Sequence, residues 1–492
     1  METNPQPKHV SLKTLLRNWL SLCGLATVVA SLFAFGLLFF LSIIAPNANP
    51  YVGILTFLVA PMFTVIGLGL AVIGAWRERR ALRRSGEGDF SVLIQLSRLR
   101  DRRIMGVFVG GTLLFLMVTA MGTYHSYHFT ESVTFCGQAC HKVMKPEMVT
   151  YGHSSHARVA CTECHIGPGA TWFVRSKLSG TYQVYATLAN KYPRPVPTPI
   201  KNLRPAQETY EQCHWPRKFS GDVVRSFTHF LNDATNTEYS VRMLLRVGGG
   251  DPTHGPVGGI HWHMSVANQV EYLPTDETRQ KIPWVRLTDA QGVVTEFRTP
   301  DFTNAVDQAR IRTMDCMDCH NRPAHVFESP NDAVDLAMSL GQIDRTLPSI
   351  REHATLALNG EYTTETDGVR QIATALEKRY PDAPGIRPTI DAVQKIFRDN
   401  FFPEMKANWR AYPDNIGHKD WPGCVRCHDD DHKDATGRKV IKFSDCNSCH
   451  VILAQGKAGD LDELNLAGHA FKHPGEDYDP AFKCTDCHTG GP

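Results

Sequence analysis

A five-residue pattern recurs in this 492-residue chain and limits its possible folds more than any other feature. Two cysteines stand three positions apart, and a histidine directly follows the second. The pattern occurs at residues 161–165, 316–320, 424–428, 446–450 and 484–488. It is the attachment pattern of c-type haem, in which two thiols bond to the porphyrin and the histidine binds the iron. Five copies make coincidence a poor explanation.

A sixth site has three residues between its cysteines, Cys136 and Cys140, and His141 follows them. The longer loop can still span the two vinyl groups of the porphyrin. Met144 comes soon afterwards, and methionine is also an axial haem ligand. For this site, His141 and Met144 therefore remain equal alternatives as the iron ligand.

A seventh site has Tyr210 where the first cysteine belongs, followed by Cys213 and His214. One thioether together with the histidine is enough to hold a haem. The expected total is thus seven haems c. The predicted attachment residues are Cys136, Cys140, Cys161, Cys164, Cys213, Cys316, Cys319, Cys424, Cys427, Cys446, Cys449, Cys484 and Cys487, and the predicted motif histidines are His141, His165, His214, His320, His428, His450 and His488.

The positions of the cysteines argue against a disulfide framework and against zinc sites. Of fourteen cysteines, thirteen belong to these sites, and Cys23 lies in an apolar stretch where it fits a small buried hydrophobe. A disulfide framework would not place histidine after each second cysteine. Zinc needs four ligands, usually from two cysteine pairs close together, whereas these pairs are far apart and each has its own histidine.

Three uncharged stretches, at residues 19–45, 51–76 and 104–124, are long enough to cross a bilayer. The loop between the second and third is rich in arginine, which predicts that it lies in the cytoplasm with the N-terminus. The rest of the chain is then periplasmic, the side on which haem c is attached. We predict a multi-pass protein of a bacterial inner membrane. Lys plus Arg exceed Asp plus Glu by only 2, so nucleic acid is not an expected partner.

The predicted fold class is a multihaem cytochrome c. It has N-terminal transmembrane α-helices, a haem-packed periplasmic region with little regular structure, a small β-rich insert and helical segments. Alternating apolar residues predict strands at residues 238–247, 269–273 and 284–298, with a hairpin turn at 289–292. The predicted domains are a three-helix anchor (1–125), a domain with haems one to three (126–219), the insert (220–312), haem four with a helical segment (313–412) and a C-terminal three-haem domain (413–492).

Residues 104–219 resemble the NapC/NirT group of membrane-anchored quinol dehydrogenases. The resemblance rests on CHKVMKPE, on SSHARVACTECHIGPGATWFVRSKLSG and on YPRPVPTPIKNLRPAQETYEQCHWP. The whole chain is similar to the larger seven-haem inner-membrane cytochromes of metal-respiring bacteria. The family implies quinol oxidation at the periplasmic face and electron passage through haems c to periplasmic partners.

The resemblance also implies roles for single residues. It makes Met144 a ligand of haem one, Lys177 a quinol contact and His156 a distal haem ligand. Two positions depart from the family. Its acidic residue beside haem one has no counterpart in residues 180–185, and Tyr210 replaces the usual cysteine.

Electron-transfer haems need a second axial ligand, and the chain has many histidines outside the motifs. The predicted distal ligands are His156, His229, His263, His325, His418 and His473. Quinol oxidation also releases two protons, so its site requires groups that accept them. The predicted quinol-site residues, close to the first two haem sites in sequence, are Lys145, Glu147, His153 and Lys177.

The sequence therefore predicts an enzyme, a quinol:cytochrome c-type oxidoreductase. It would oxidise (mena)quinol from the membrane quinone pool and pass electrons to periplasmic multihaem cytochromes or a respiratory complex, in anaerobic or metal respiration. The alternative is a passive electron relay, docked to another membrane complex and lacking its own quinone site. Direct reduction of nitrite or hydroxylamine is disfavoured, because no motif carries the altered Cys-x-x-Cys-Lys ending that marks an open iron position.

Overall fold

The computed structural model describes residues 15, 16, 18–44, 55–84, 99–139, 141–200, 204–215, 219–249, 258–265, 267–475 and 482–491. The chain separates into two compact units, residues 1–139 and 140–492. The first unit holds the apolar N-terminal helices. The second holds all motifs that contain a complete Cys-x-x-Cys-His pattern.

The described residues of the first unit form three long helices. Helix α1 spans Trp19–Ile44, α2 spans Ala60–Arg84 after a π-helical turn at Leu55–Val59, and α3 spans Leu99–Thr130. Among the described residues, Trp19–Leu41 and Leu55–Arg84 are long and apolar enough to cross a membrane. Helix α3 covers the third predicted span, whose membrane crossing stays a prediction. A second π-helical turn, Phe135–Ala139, ends the unit.

Helices α1 and α2 pack closely because small residues line their contact. A Cβ atom added to Gly24 would lie 2.5 Å from the backbone nitrogen of Ala71, so no larger side chain fits there. The hydroxyl of Ser21 donates a hydrogen bond to the Ala71 carbonyl oxygen at 3.0 Å. Close backbone approach through glycine, supported by serine hydrogen bonds, is typical of helices that associate in lipid.

The second unit begins with helices separated by loops. They are α4 (His141–His153), α5 (Cys161–His165), α6 (Ala170–Leu188) and α7 (Ala206–Thr209). The expectation of little regular structure in this region is wrong for α6, which has 19 residues. Its sequence contains no proline, although most of its residues rank low in helix propensity, so intrinsic preference alone does not predict this helix.

Two four-stranded antiparallel sheets follow. The strands are β1 (Val223–Phe230), β2 (Glu238–Leu245), β3 (Gln269–Leu273), β4 (Trp284–Thr288), β5 (Val294–Arg298), β6 (Arg312–Thr313), β7 (His450–Lys457) and β8 (Asp460–Leu461). The sheet orders are β1-β2-β7-β8 and β5-β4-β3-β6. All three predicted strand segments are confirmed, and Gly292, at φ +78°, forms the predicted turn between β4 and β5.

The first sheet reaches beyond the predicted β-rich insert. Strand β2 pairs along its length with β7, which begins at His450, the last residue of a haem motif. Five consecutive residues of β7, from Val451 to Gln455, are buried. This run is apolar on both faces, a pattern that strict alternation does not identify as a strand.

A helical group forms the largest apolar core of the second unit. Its helices are α9 (Pro330–Ser339), α10 (Ile350–Leu358), α11 (Glu365–Arg379) and α12 (Ile386–Asn400); two single-turn helices, α8 (Cys316–Cys319) and α13 (Cys484–Cys487), belong to haem motifs. In α12, Ile386, Ile390, Val393 and Phe397 follow the helical repeat and are buried together. The helical periodicity predicted for residues 331–412 is thus confirmed.

Replacing Phe397 with alanine tests this core. The ring is 1% exposed, stacks on Phe401 at 5.7 Å and meets Tyr362 at 5.2 Å between centroids. Phe397→Ala should cost about 3–5 kcal/mol through the cavity it leaves. Thermal unfolding followed by circular dichroism should show a clearly lower midpoint. Leu356→Ala is the control, because Leu356 is 47% exposed, and an equal shift in both variants would contradict this core.

Candidate haem sites

Each complete motif forms a short helical turn. Where the turn is α-helical, its cysteines lie at positions i and i+3, so both thiols leave one face. Aspartate side chains fix two of these turns. Asp315 caps α8 by accepting from the backbone N–H of Met317, and Asp318 accepts from that of Asp315 at 2.9 Å. Asp486 accepts in the same way from the backbone N–H of Lys483, before α13. The turn thus presents two thiols and a histidine to one porphyrin-sized space.

The structure brings a second imidazole opposite each of six motif histidines. Ring centroids within these pairs are 5.8–6.4 Å apart. The pairs are His165 with His325, His214 with His156, His320 with His261, His428 with His263, His450 with His418, and His488 with His473.

This spacing fits an iron atom between two imidazoles. A metal–imidazole bond is about 2 Å long, and a ring centre lies about 1 Å behind its nitrogen. Two rings on opposite sides of one metal therefore have centroids roughly 6 Å apart. Within the described part of the chain, no three or more His, Cys, Asp or Glu side chains converge on one point as a metal-ion site. The donor sets are pairs of histidines beside free thiols, as haem c requires.

Backbone carbonyl oxygens orient several of these rings. In five rings the Nδ1 atom lies within hydrogen-bonding distance of a backbone carbonyl oxygen. The pairs are His325 with Glu147 at 3.0 Å, His156 with Pro323 at 3.1 Å, His261 with Val247 at 3.1 Å, His263 with Ile260 at 2.9 Å and His428 with Lys442 at 3.2 Å. A carbonyl only accepts, so Nδ1 carries the proton. The lone pair of Nε2 is then left for a metal, the usual arrangement of ligating histidine.

His432 shows the contrast. It is fully buried, and both ring nitrogens have protein partners at 2.8 Å, Asp429 for Nδ1 and the Ile282 carbonyl for Nε2. It has a structural role, and no lone pair is left over. His432 therefore has no ring nitrogen with which to bind iron.

Burial favours the neutral imidazole at most of the paired histidines. It is the main cause of a lowered pKa in His165, His261, His320, His325, His418, His428, His450 and His488. A protonated ring has no lone pair for iron, so a lowered pKa keeps these rings ready to ligate at neutral pH.

The sites follow one another in space, beginning with the motifs at residues 161–165 and 213–214. Burial raises the pKa of the Cys164 thiol, and nearby Cys213 raises it further. Burial lowers the pKa of His320, and His214 contributes to that shift as a neighbouring positive charge. The site at Cys213 therefore lies between the site before it and the site after it.

The same adjacency continues towards the C-terminus. Burial raises the pKa of the Cys319 thiol to about 11, with a further contribution from Cys424. The pKa of Cys424 is raised by burial and then by Cys449. The Cys484 sulfur lies 3.8 Å from Nδ1 of His418, which pairs with the preceding motif. Six sites are thus neighbours in the order of the sequence.

A cavity of 520 Å³ lies at the C-terminal end of this series. Its lining includes His418, Val425, Phe443 and Cys484, so a predicted ligand, a predicted attachment thiol and apolar side chains face the same space. Six charged side chains also line this cavity, so its wall is mixed: Lys281, Asp301, Arg426, Asp429, Asp431 and Lys483.

Five of the six predicted distal histidines, His156, His263, His325, His418 and His473, lie opposite motif histidines. His229 does not; within the described residues its Nδ1 atom meets the buried carboxylate of Asp335 at 3.1 Å. The imidazole opposite His320 is His261, which the sequence analysis did not select. The spacing His261-Trp-His263 was an available signal, because one short turn directs these two rings to two different motifs.

Three predicted quinol-site residues lie on α4 and contact the helical group or its neighbouring loop. Lys145 forms an ion pair with Glu365, and His153 Nε2 is 3.9 Å from Asp399. Glu147 accepts from Arg322 at 3.0 Å, and its carboxylate also lies 3.3 Å from Nδ1 of His325. Its geometry is that of a group that orients a paired histidine.

Lys177 lies on α6, apart from those three. Its ammonium is 4.8 Å from the centre of the Phe173 ring. Met144 is half-buried on α4, one turn after the helix begins. Cys140 lies outside the described residues, so the choice between His141 and Met144 stays a prediction.

The apolar N-terminal helices and the repeated Cys-His sites define a membrane cytochrome c. Residues 99–214 match the family model of the NapC/NirT cytochrome c family, N-terminal region. The chain is also 38% identical over 456 residues to the cytochrome c-type protein ImcH of Geobacter sulfurreducens, which covers 89% of each chain. The chain belongs to the NapC/NirT family and is an electron-transfer protein of the inner membrane. No solved structure matches it.

The pairing of His261 with His320 can be tested by ligand exchange. His261→Met should raise the midpoint potential of one haem, on the order of 0.1 V, because methionine favours reduced iron more than histidine does. A spectroscopic redox titration would show this shift, and electron paramagnetic resonance would show one altered low-spin signal. His469→Met is the matched control, since His469 Nε2 bonds the Glu463 carbonyl at 2.9 Å. An unchanged titration in His261→Met would contradict the pairing.

Proposed function

We propose that this protein is an inner-membrane quinol dehydrogenase. It oxidises menaquinol at the periplasmic face and passes the electrons through a chain of haems c to periplasmic redox partners. The observation that carries the proposal is the ordered series of six histidine pairs, each beside one of the attachment motifs. A catalytic haem would need an open iron position, whereas paired imidazoles suit electron transfer alone.

The seventh haem belongs to the site at Cys136, Cys140 and His141, with Met144 as the alternative ligand. The site at Cys213 keeps a haem through one thioether, and the pairing of His214 with His156 supports it. Each bound haem accepts or donates one electron. The chain's own contribution is to fix the orientation of the rings and to keep neighbouring sites close together.

Quinol oxidation also requires removal of two protons near the first haem. Of the four predicted residues, Lys177 is the one that the resemblance to the NapC/NirT group makes a quinol contact, and its ammonium lies 4.8 Å from the centre of the Phe173 ring. A cation beside the quinol stabilises the deprotonated form, which gives up electrons more readily. We therefore assign the first contact with the quinol headgroup to Lys177.

Lys177→Ala should slow quinol-driven haem reduction on the order of tenfold, the loss expected from one contact of about 1.4 kcal/mol. The measurement is stopped-flow haem absorbance with a menaquinol analogue and the full-length protein in lipid nanodiscs. Reduction by dithionite, which bypasses the quinol site, should keep its rate and its amplitude.

Lys378→Ala is the matched control, because Lys378 is an exposed lysine on α11. If both variants are reduced equally fast by quinol, Lys177 is not part of the site. If quinol fails to reduce even the unmodified protein, the passive relay is the better description, and a partner complex must deliver the electrons.

A further inference from the structure

Helix α6 carries a stripe of exposed apolar side chains. The exposed fractions are 54% for Val174, 70% for Leu178, 67% for Tyr182, 53% for Tyr185 and 79% for Leu188. Their spacing of three and four residues keeps them on one face of the helix. Apolar side chains exposed singly are ordinary, but five in one continuous line form a contact surface.

One side of α6 is less exposed than the stripe. On that side Ala186 is buried, while Trp172, Phe173 and Val184 are half-buried. At about 100° of rotation per residue, the apolar stripe points away from these four residues. The stripe is therefore the part of the helix with the most apolar surface left to cover.

The charge around the stripe indicates what covers it. Residues 170–195 contain the four basic side chains Arg175, Lys177, Lys191 and Arg194 and no aspartate or glutamate. At about 100° of rotation per residue, Arg175 and Lys177 lie on the two flanks of the stripe. Basic residues beside an apolar face complement an anionic surface.

Aromatic residues at the end of the helix have the same character. Lys191 donates a hydrogen bond to the Tyr185 hydroxyl at 2.9 Å, and Arg194 donates to that of Tyr192 at 2.8 Å. Tyrosine and basic residues with an apolar stem are enriched where hydrocarbon meets lipid headgroups. Both kinds of residue therefore suit the boundary of a bilayer.

We propose that α6 lies in the headgroup region of the membrane. Its apolar stripe contacts the acyl chains, and its flanking basic residues bind anionic phospholipid. Interfacial helices combine these two features, and each basic residue near an anionic lipid surface adds to the attraction. This contact does not depend on quinol oxidation, although it brings Lys177 to the depth at which lipid headgroups lie.

Photo-crosslinking tests the proposal on the full-length, haem-loaded protein. Leu178→p-benzoylphenylalanine places the probe on the stripe, and Gln183→p-benzoylphenylalanine is the matched control on an exposed position of another face. Both proteins are irradiated in nanodiscs of phosphatidylethanolamine and phosphatidylglycerol, and the adducts are identified by mass spectrometry. Phospholipid adducts should be at least about tenfold more abundant at position 178 than at position 183.

Tyr182→p-benzoylphenylalanine is a second probe on the stripe and the more conservative change, and equal Soret absorbance verifies that each variant is folded and loaded. Nanodiscs of phosphatidylcholine alone should lower the yield of the adduct at position 178 severalfold, because the anionic lipid is then missing.

Adducts with a second copy, with another cytochrome or with porphyrin would overturn the proposal. Equal lipid adducts at positions 178 and 183 would do the same. Neither crosslinking measurement requires quinol oxidation. A negative result would therefore contradict the membrane contact of α6 without bearing on the proposed quinol dehydrogenase activity.

Discussion

Two imidazoles from different parts of the chain, with ring centres about 6 Å apart, form the contact on which the second unit is organised. His325 lies opposite His165, and His156 lies opposite His214. Each of these two histidines thus pairs with a motif other than the one beside it in sequence. His261 and His263 extend from one short turn to two different motifs. The pairs His165–His325 and His263–His428 join segments that are distant in sequence, so they would act as cross-links once metal is bound.

These histidine pairs explain the positions of the sheets and helices in the second unit. The sheets and helices pack around the motif series and bring distal histidines to it. Strand β2 leads towards the turn that holds His261 and His263, while β7 begins at the motif histidine His450. The helical group supplies most of the apolar core and also the ionic partners of α4. Regular structure is therefore concentrated where it positions loops that carry ligands.

The contacts of Glu147 indicate a different role from the one that its position in the sequence suggested. Its nearness to the first haem motifs in sequence made it a candidate for proton transfer. In the structure its carboxylate lies between Arg322 and His325, and its backbone oxygen accepts from the same imidazole. An anion beside the outer nitrogen of a ligand raises the basicity of that ligand, which favours oxidised iron. Its contact with a paired histidine connects α4 directly to the electron path.

The sequence by itself determined the chemistry of this protein, because covalent haem attachment requires residues at fixed spacing within five positions. It also determined the apolar helices, the hairpin between β4 and β5 and the periodic helices of the core, which depend on local patterns. It could not assign His261 over His229, since both are histidines in a strand or turn outside the motifs. Nor could it find the pairing of β2 with β7 across roughly two hundred residues. Only the tertiary structure decided those contacts, because which distant segments meet depends on how all the elements pack together.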